Sequence, residues 1–411
     1  MKILFLSNAD LNCNTGWHIA SLAKSLSEMG ASCVVCVPTK EDTSPPDVNV
    51  FLSIVDGDHV VNSIADELPD LIYVWTPREG NRKTLNRILE KYKIPYFVHF
   101  EDNEFHLTKT AFRMSEREFA EWASRDAPSI SVPNHLTDPS AMRQVTENAT
   151  GITALVNELL NVVPRSAPGI VFWPGYDESL SWGMPPDLSF KRQVGISEGE
   201  FVVAYTGNLH PANAGEIRSL YLAIALLNRR GIRVRLVRTG EDHSPLTDHG
   251  ESLLRKFSVE LGLVPRADLP RLLSISDVLV QPGSPDDFNI YRFPSKIPEF
   301  LASGKPVVLP ACNIGAYLEN EREAIVLPKC SALEIARTLE KLLPDTARKQ
   351  RIGSAGAAFA FRHLRWSSAA ERLLPFFRQA IARDNPDFAD NRLSPIRTLP
   401  PVLFNGLEKV N

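Results

Sequence analysis

No stretch of this chain approaches the roughly 18 to 20 consecutive apolar residues that a membrane-spanning helix needs. The opening MKILFLSNAD carries one lysine and a four-residue apolar run, Ile3 to Leu6, before polar residues resume. It reads as a first strand and not as a secretory signal. Excess positive charge is also missing: a formal net charge of -4 over 411 residues argues against a general nucleic-acid binder. Cysteine is scarce and odd in number, with five residues at 13, 33, 36, 312 and 330, which fits a reducing compartment better than a disulfide framework. Cys33 and Cys36 have the spacing of a redox or metal half-site, but they lie in the apolar run CVVCV. Residues three apart on a strand point to opposite faces, so the pair reads as structural. No Gly-x-Gly-x-x-Gly follows the first strand, which disfavours a dinucleotide oxidoreductase. No cluster of His, Cys, Asp and Glu has metal-ligand spacing. Asp56-Gly57-Asp58 imitates a metal-binding Asp-x-Asp, yet it precedes a helical pattern as a cap would. These absences fit a cytoplasmic protein that works without a metal and leave room for peripheral contact with the inner face of a membrane.

What is present is ordinary for a globular protein, with 44% hydrophobic and 23% charged residues. The length exceeds what one core usually holds, so two domains are expected. In the first, Ile3 to Leu6, the run CVVCVP, Asn49 to Leu52, Leu71 to Trp75, Tyr96 to Phe100, Ser129 to Val132 and Gly151 to Ala154 read as strands. Helical patterns at Trp17 to Met29, Gly57 to Glu67, Arg82 to Tyr92 and Ser115 to Ala123 alternate with them, the signature of a doubly wound parallel sheet. Around Pro164 the texture turns dense in proline and glycine, as in a connector. From Phe201 the alternation restarts, with strands at 201–207, 234–237, 278–280, 307–309 and 324–327. Helices are expected at 215–228, 246–261, 332–343, 346–361 and 367–383, and a loosely attached tail from Asp384. The boundaries read as a first lobe over 1–165, a hinge over 166–190, a second lobe over 191–365 and a C-terminal helix and tail over 366–411.

The stretch on which the rest turns is SDVLVQPGSPDDFNIYRFPSKIPEFLASGKPVVLP, from Ser276 to Pro310. It reads as strand, loop, helix and strand, with Pro294 opening about ten residues of helix and Gly304 closing it. A helix start beyond the end of a parallel strand offers free N–H groups and a partial positive charge, a ready site for an anion such as a diphosphate.

Taken in series, these segments resemble the GT-B-fold glycosyltransferases, most closely the retaining, nucleotide-sugar-dependent enzymes of family four. GITALVNELL followed by VFWPGYD is similar to the end of the family's first lobe and its hinge; VVAYTGNL and VRLVRTGED resemble the first two strands and turns of its donor lobe. SDVLVQPG with PSKIPEFLASGKPVV resembles the donor motif, and the helix at Trp366 the segment that crosses back to the first lobe. The resemblance implies two Rossmann-like lobes facing a cleft. It implies transfer of a hexosyl group from a UDP- or GDP-sugar to a glycan or lipid-linked acceptor with retention of configuration, in cell-surface polysaccharide or glycoconjugate synthesis.

The same resemblance implies roles for particular residues. Glu299 would receive the ribose hydroxyls, and Ser295 and Lys296 the diphosphate, with Lys296 also meeting the charge that develops on the leaving group. Gly207 would let the backbone approach phosphate; Asn208, Arg238, Asn289 and Tyr291 complete the donor set, with Gly16 facing it from the first lobe. His99 would lie beside the transferred sugar, and Glu101 and Asp102 would orient the acceptor, although a solvated loop is the alternative for these acids and for Glu104. Two departures stand out. Asn208 and Asn213 replace the Arg and Lys usual in the glycine loop, and Tyr291 replaces a Glu eight residues before Glu299. No base is recognisable, so the departing diphosphate oxygen would take the acceptor proton. Two alternatives therefore stay open: a catalytically silent GT-B protein that binds a partner, and a nucleotide-sugar epimerase.

Overall fold

The structure is a computed structural model that describes residues 1–38, 52–124, 131–163, 165–247, 250–286 and 288–384. It divides into two compact units. The first holds Met1–Pro174, Tyr291–Phe293 and the helix that begins at Trp366; the second holds Gly175–Ile290 and Pro294–Arg365.

In the first unit the strands are β1 (Lys2–Ser7), β2 (Ser32–Val37), β3 (Leu52–Asp56), β4 (Leu71–Trp75), β5 (Tyr96–Phe100), β6 (Gly151–Ala154) and β7 (Gly169–Val171). They form one sheet in the order β3-β2-β1-β4-β5-β6-β7, with every pair parallel. The central strands LIYVW and YFVHF are buried throughout, as expected when helices cover both faces of a parallel sheet. The helices are α1 (Asn14–Glu28), α2 (Val60–Ser63), α3 (Glu79–Leu89), α4 (Glu104–Ala111), α5 (Glu116–Ala123), α6 (Pro139–Glu147) and α7 (Asn157–Val162). Ser115 caps α5 in a reciprocal box with Glu118, an arrangement worth about 1 kcal/mol.

The second unit repeats the plan with α8 (Leu188–Gln193), β8 (Phe201–Thr206), α9 (Ala214–Arg229), β9 (Val234–Thr239), α10 (Glu251–Arg255), β10 (Ser258–Glu260) and α11 (Leu269–Ser274). There follow β11 (Val278–Val280), α12 (Ile297–Ala302), β12 (Val307–Pro310), β13 (Ile325–Leu327), α13 (Ala332–Leu342) and α14 (Thr346–His363). Its parallel sheet runs β10-β9-β8-β11-β12-β13. The last helix, α15 (Trp366–Asp384), belongs to the first unit and packs along α1.

Several elements differ from the sequence expectation. The helix expected over 246–261 is only the short α10, followed by β10. Backbone bonds from Leu236 N to Phe257 O and from Leu261 N to Arg238 O tie that segment to β9 as an edge strand. Residues 166–190, expected as a hinge, contribute β7 to the first sheet. The expected helix at Gly57 shrinks to α2, because Asp56 accepts from Asp58 N in a tight turn and does not cap the helix. Ser131 and Val132 are irregular, and Ser129 and Ile130 lie outside the described residues, as do Asn49 to Phe51 and the tail from 385. Cys33 and Cys36 are buried thiols pushed up to about 11 and about 12 by burial, in keeping with a structural role.

Candidate functional site

In the second unit the residues singled out above meet at the carboxyl ends of β8 and β9. Gly207 follows β8 with φ +147°, and Gly240 follows β9 with φ +100°. A methyl group on Gly240 would stand 2.5 Å from the Gly207 carbonyl, and one on Gly207 would stand 3.0 Å from Lys296 Cε. At Gly240 the close contact is with backbone and requires glycine, whereas at Gly207 it is the positive φ that favours glycine. The Lys296 ammonium lies 4.9 Å from the centre of the Tyr205 ring, a cation–π contact. The helix it precedes is shorter than expected: α12 begins at Ile297, with Pro294 accepting from Ile297 N in the turn before it. Pro298 occupies the first turn, where a missing N–H costs nothing. Ser295 and Lys296 are half-buried.

The other expected donor residues are committed inside the fold. Glu299 on α12 is buried and paired with Arg266. Burial pushes its carboxyl above the ordinary value, and the Arg266 guanidinium only partly offsets that push. Arg238, 3% exposed, donates to Glu260 at 2.8 Å and to Asp242. Its guanidinium therefore braces the β9–β10 edge through Nε and Nη2, while Nη1 is enclosed with no hydrogen-bond partner among the described residues. Asn208 Oδ1 accepts from Glu241 N at 2.9 Å, and its carbonyl accepts from Asn213 Nδ2 at 3.0 Å. Asn213 Oδ1 in turn accepts from His210 N. The two residues at the positions of the expected cations thus brace their loop internally. Asn289 is buried and donates to Glu216 Oε1 at 2.5 Å. Tyr291 belongs with Arg292 and Phe293 to the first unit.

In the first unit Gly16 lies in the first turn of α1, and not just before it. A methyl group there would meet the Leu11 backbone at 2.4 Å, so close packing of the β1–α1 loop requires this glycine. One turn of the same helix carries Thr15 and His18, and both reach Glu101 at the end of β5: Thr15 Oγ1 donates to Oε2 at 2.8 Å, and His18 Nδ1 stands 2.5 Å from Oε1. Burial alone would raise the Glu101 carboxyl, but His18 above all, with the Thr15 hydroxyl, holds it down at about 2. Trp366 packs on the His18 ring with centroids 5.3 Å apart. The solvated loop considered for these acids is not what forms. Glu104, 3% exposed, pairs with Arg78 at 3.1 Å and accepts from Thr137 Oγ1 at 2.8 Å. Asp102 stays partly open, 3.8 Å from Arg78.

His99 is fully buried. Its Nδ1 stands 2.8 Å from Thr153 Oγ1, and its ring lies 4.2 Å from Trp75 and stacks on Phe172 at 5.0 Å. Burial drives it down to about 3, so it is neutral, and its Nε2 is enclosed with no hydrogen-bond partner among the described residues. Among the described residues no three His, Cys, Asp or Glu side chains are grouped so as to hold a metal ion. His18 and Arg266 were missed in the sequence. A histidine in the first turns of the helix after β1, and a basic residue just before a Leu-Pro helix start, were the only signals.

Residues 200–345 match the family model described as Glycosyl transferases group 1. A D-inositol 3-phosphate glycosyltransferase of Nocardia farcinica is 26% identical over 299 residues, covering 67% of this chain and 61% of that protein. The one from Salinispora arenicola is 24% identical over 214 residues, 49% of this chain and 46% of that protein. The chain thus spans about half the length of the curated relatives it matches. Among solved structures, Anabaena HepE in complex with UDP-glucose superposes with a TM-score of 0.70 at 18% identity, over 92% of this chain and 100% of that one. Sucrose-phosphate synthase from Thermosynechococcus elongatus gives 0.67 at 12% identity, over 93% and 100%.

Proposed function

We propose that this chain, which has the GT-B fold and carries a Glycosyl transferases group 1 domain over residues 200–345, transfers a hexosyl group from a UDP- or GDP-sugar to an acceptor hydroxyl. The observation that carries the reading is the Lys296 ammonium held over Tyr205 and against Gly207 at the carboxyl end of β8, inside the matched domain. Ligands of open α/β sheets lie beyond the carboxyl ends of the strands, and a cation there meets a diphosphate. As the bond from the sugar to phosphate lengthens, charge grows on the departing oxygen, and Lys296 stabilises it more than it stabilises the ground state.

The finer parts of the reading follow the family resemblance. Retention of anomeric configuration, a glycan or lipid-linked acceptor in cell-surface polysaccharide or glycoconjugate synthesis, a cytoplasmic location with peripheral membrane contact, and independence from metal all belong to it. HepE was crystallised with UDP-glucose, which makes a UDP-hexose the first donor to try, and the inositol phosphate of the curated relatives joins the acceptor panel. Glu299 enters as the ribose ligand, which requires its pairing with Arg266 to be shared or exchanged. His99 would meet a sugar hydroxyl only after the cage of Trp75 and Phe172 parts.

One observation favours a second reading, a silent GT-B protein that binds a partner: the braced Asn208–Asn213 loop has no cation for the phosphates. Two measurements separate them. A panel of UDP- and GDP-sugars, scored for released nucleotide with and without glycan, lipid-linked and inositol phosphate acceptors, tests turnover. Calorimetry with UDP and GDP tests the site itself. Nucleotide release supports the transferase, whereas absence of both binding and release leaves the silent protein.

A further inference from the structure

We propose that three lysines at the amino-terminal edge of the second sheet, Lys191, Lys305 and Lys349, form a binding site for a small phosphate-bearing anion. The site is separate from the one at Gly207 and Lys296 and does not depend on the transferase reading.

Phe201 opens β8 and Asp277 directly precedes β11, its parallel neighbour, so the two mark the same edge of the sheet. Gly207 follows the other end of β8, roughly 20 Å of extended strand away. The lysines reach the first edge from three separate places: Lys191 from α8, Lys305 from the turn between α12 and β12, and Lys349 from α14. Lys191 Nζ donates to Glu200 O at 3.1 Å, Lys305 Nζ to Ser274 O at 2.7 Å, and Lys349 Nζ to Asp277 Oδ1 at 2.8 Å. Their acceptors lie close along the same edge. Glu200 adjoins Phe201, and Ser274 ends α11 three residues before Asp277. Asp277 is stitched to β8, its N donating to Val202 O at 2.7 Å and its Oδ2 accepting from Val202 N at 2.9 Å. The Lys349 ammonium also lies 5.5 Å from the centre of the Phe201 ring.

The charges gathered here do not balance. Glu200 is taken by Arg235 at 2.8 Å and by Ser197 N at 2.8 Å, and Asp187 by Arg271 at 2.7 Å. Asp277 is left as the carboxylate that answers the lysines. Burial lowers the pKa of Lys305; Asp277 partly offsets this, and Lys349 and Lys191 lower it further. An anion set among the three would relieve that repulsion, and their partial burial strengthens the attraction. Each ammonium carries three N–H groups, of which one is used among the described residues. The others are donors for phosphate oxygens, which lysine serves as a point charge. Lys349 keeps 13% of its side-chain surface open, which favours a compact anion over an extended polymer.

The test is calorimetry of the full chain with inorganic pyrophosphate, at an ionic strength held constant with chloride. Pyrophosphate is expected to bind wild type and to go on binding Lys296→Ala, whose substitution lies at the opposite edge. Added to the Lys296→Ala background, Lys191→Gln and Lys305→Met should each weaken binding by about tenfold, as for loss of one hydrogen bond to a charged group. Lys305→Met removes a half-buried contact and is checked by thermal melting, whereas Lys191→Gln on the short surface helix α8 keeps the test open if the former melts early. The proposal is overturned if pyrophosphate does not bind wild type, if Lys296→Ala abolishes binding, or if folded Lys191→Gln binds as tightly as its background.

Discussion

Two glutamates near the carboxyl edges of the sheets, the largely enclosed Glu101 in one lobe and the buried Glu299 in the other, are pushed in opposite directions. Glu101 receives two hydrogen bonds, has two histidines nearby, and is held down at about 2. Glu299 has Arg266 and the more distant Lys296 against burial and the repulsion of Asp177, and is pushed up. Burial is the largest influence on both. What differs is how completely the surroundings answer the charge. A charge answered inside the fold contributes to stability, whereas a charge answered incompletely is one a ligand can complete.

That contrast can be broken by mutation. The largest stability effect is expected in the first lobe, where His18→Leu removes the imidazole partner of the Glu101 carboxylate. The expected loss is about 1.5–3 kcal/mol, that of a hydrogen bond to a charged group, read as a lower urea midpoint. If the midpoint is unmoved, the pair is not the compensated charge described here. In the second lobe Lys296→Ala should behave conversely. Turnover should fall by roughly 100- to 1,000-fold, as on removal of one donor to a developing anion, while stability falls by only the 0.5–1 kcal/mol of an exposed cation–π contact. An unchanged rate would remove Lys296 from the chemistry.

Acidity sharpens the same contrast. A carboxyl depressed on folding contributes stability that is present above its unfolded value of 4.5 and is lost as pH falls towards about 2. A raised carboxyl contributes stability that is present below 4.5 and is lost as pH rises through its folded value. Urea midpoints measured across this range should therefore lose part of their acid-side fall in Glu101→Gln and part of their decline with rising pH in Glu299→Gln. Identical profiles for the two variants would show that the surroundings do not separate the glutamates. The smallest effect is an expected absence of one: EDTA should leave nucleotide release unchanged, and a loss restored by a divalent cation would contradict the metal-independent proposal.

The alternation of strands and helices was legible because runs such as LIYVW and YFVHF are continuously apolar and short, and few other structures bury such a run. The misreading at 246–261 has the same root. Leu253, Leu254, Phe257 and Leu261 imitate a helical stripe, but Leu253 is 72% exposed, and the demand of β9 for a neighbour decides the segment instead. α6 was overlooked although Asp138-Pro139 is an N-cap followed by a first-turn proline. Of the candidate site, the grouping of Lys296 with Gly207 was open to a local motif. The pairing of His18 with Glu101 was not, because it joins residues 83 apart, and no periodicity along the chain reports a meeting across the sheet. The ion pairs of Arg238 were hidden for a related reason: its type suggested a phosphate ligand, while its partners Glu260 and Asp242 became visible only once β10 was known to be a strand.

The stitching of the loops beyond β8, β9 and β10 has a mechanical consequence. Gly207 N donates to Thr239 O, and Gly240 N donates to Gly262 O, while the Gly207 carbonyl fills the space a side chain on Gly240 would need. These three tips form one plate, and none can yield without carrying the others. If the proposed donor binds there, accommodation of its shape falls to the lysine that lies on the plate, whose four-carbon stem can swing where the backbone is stitched.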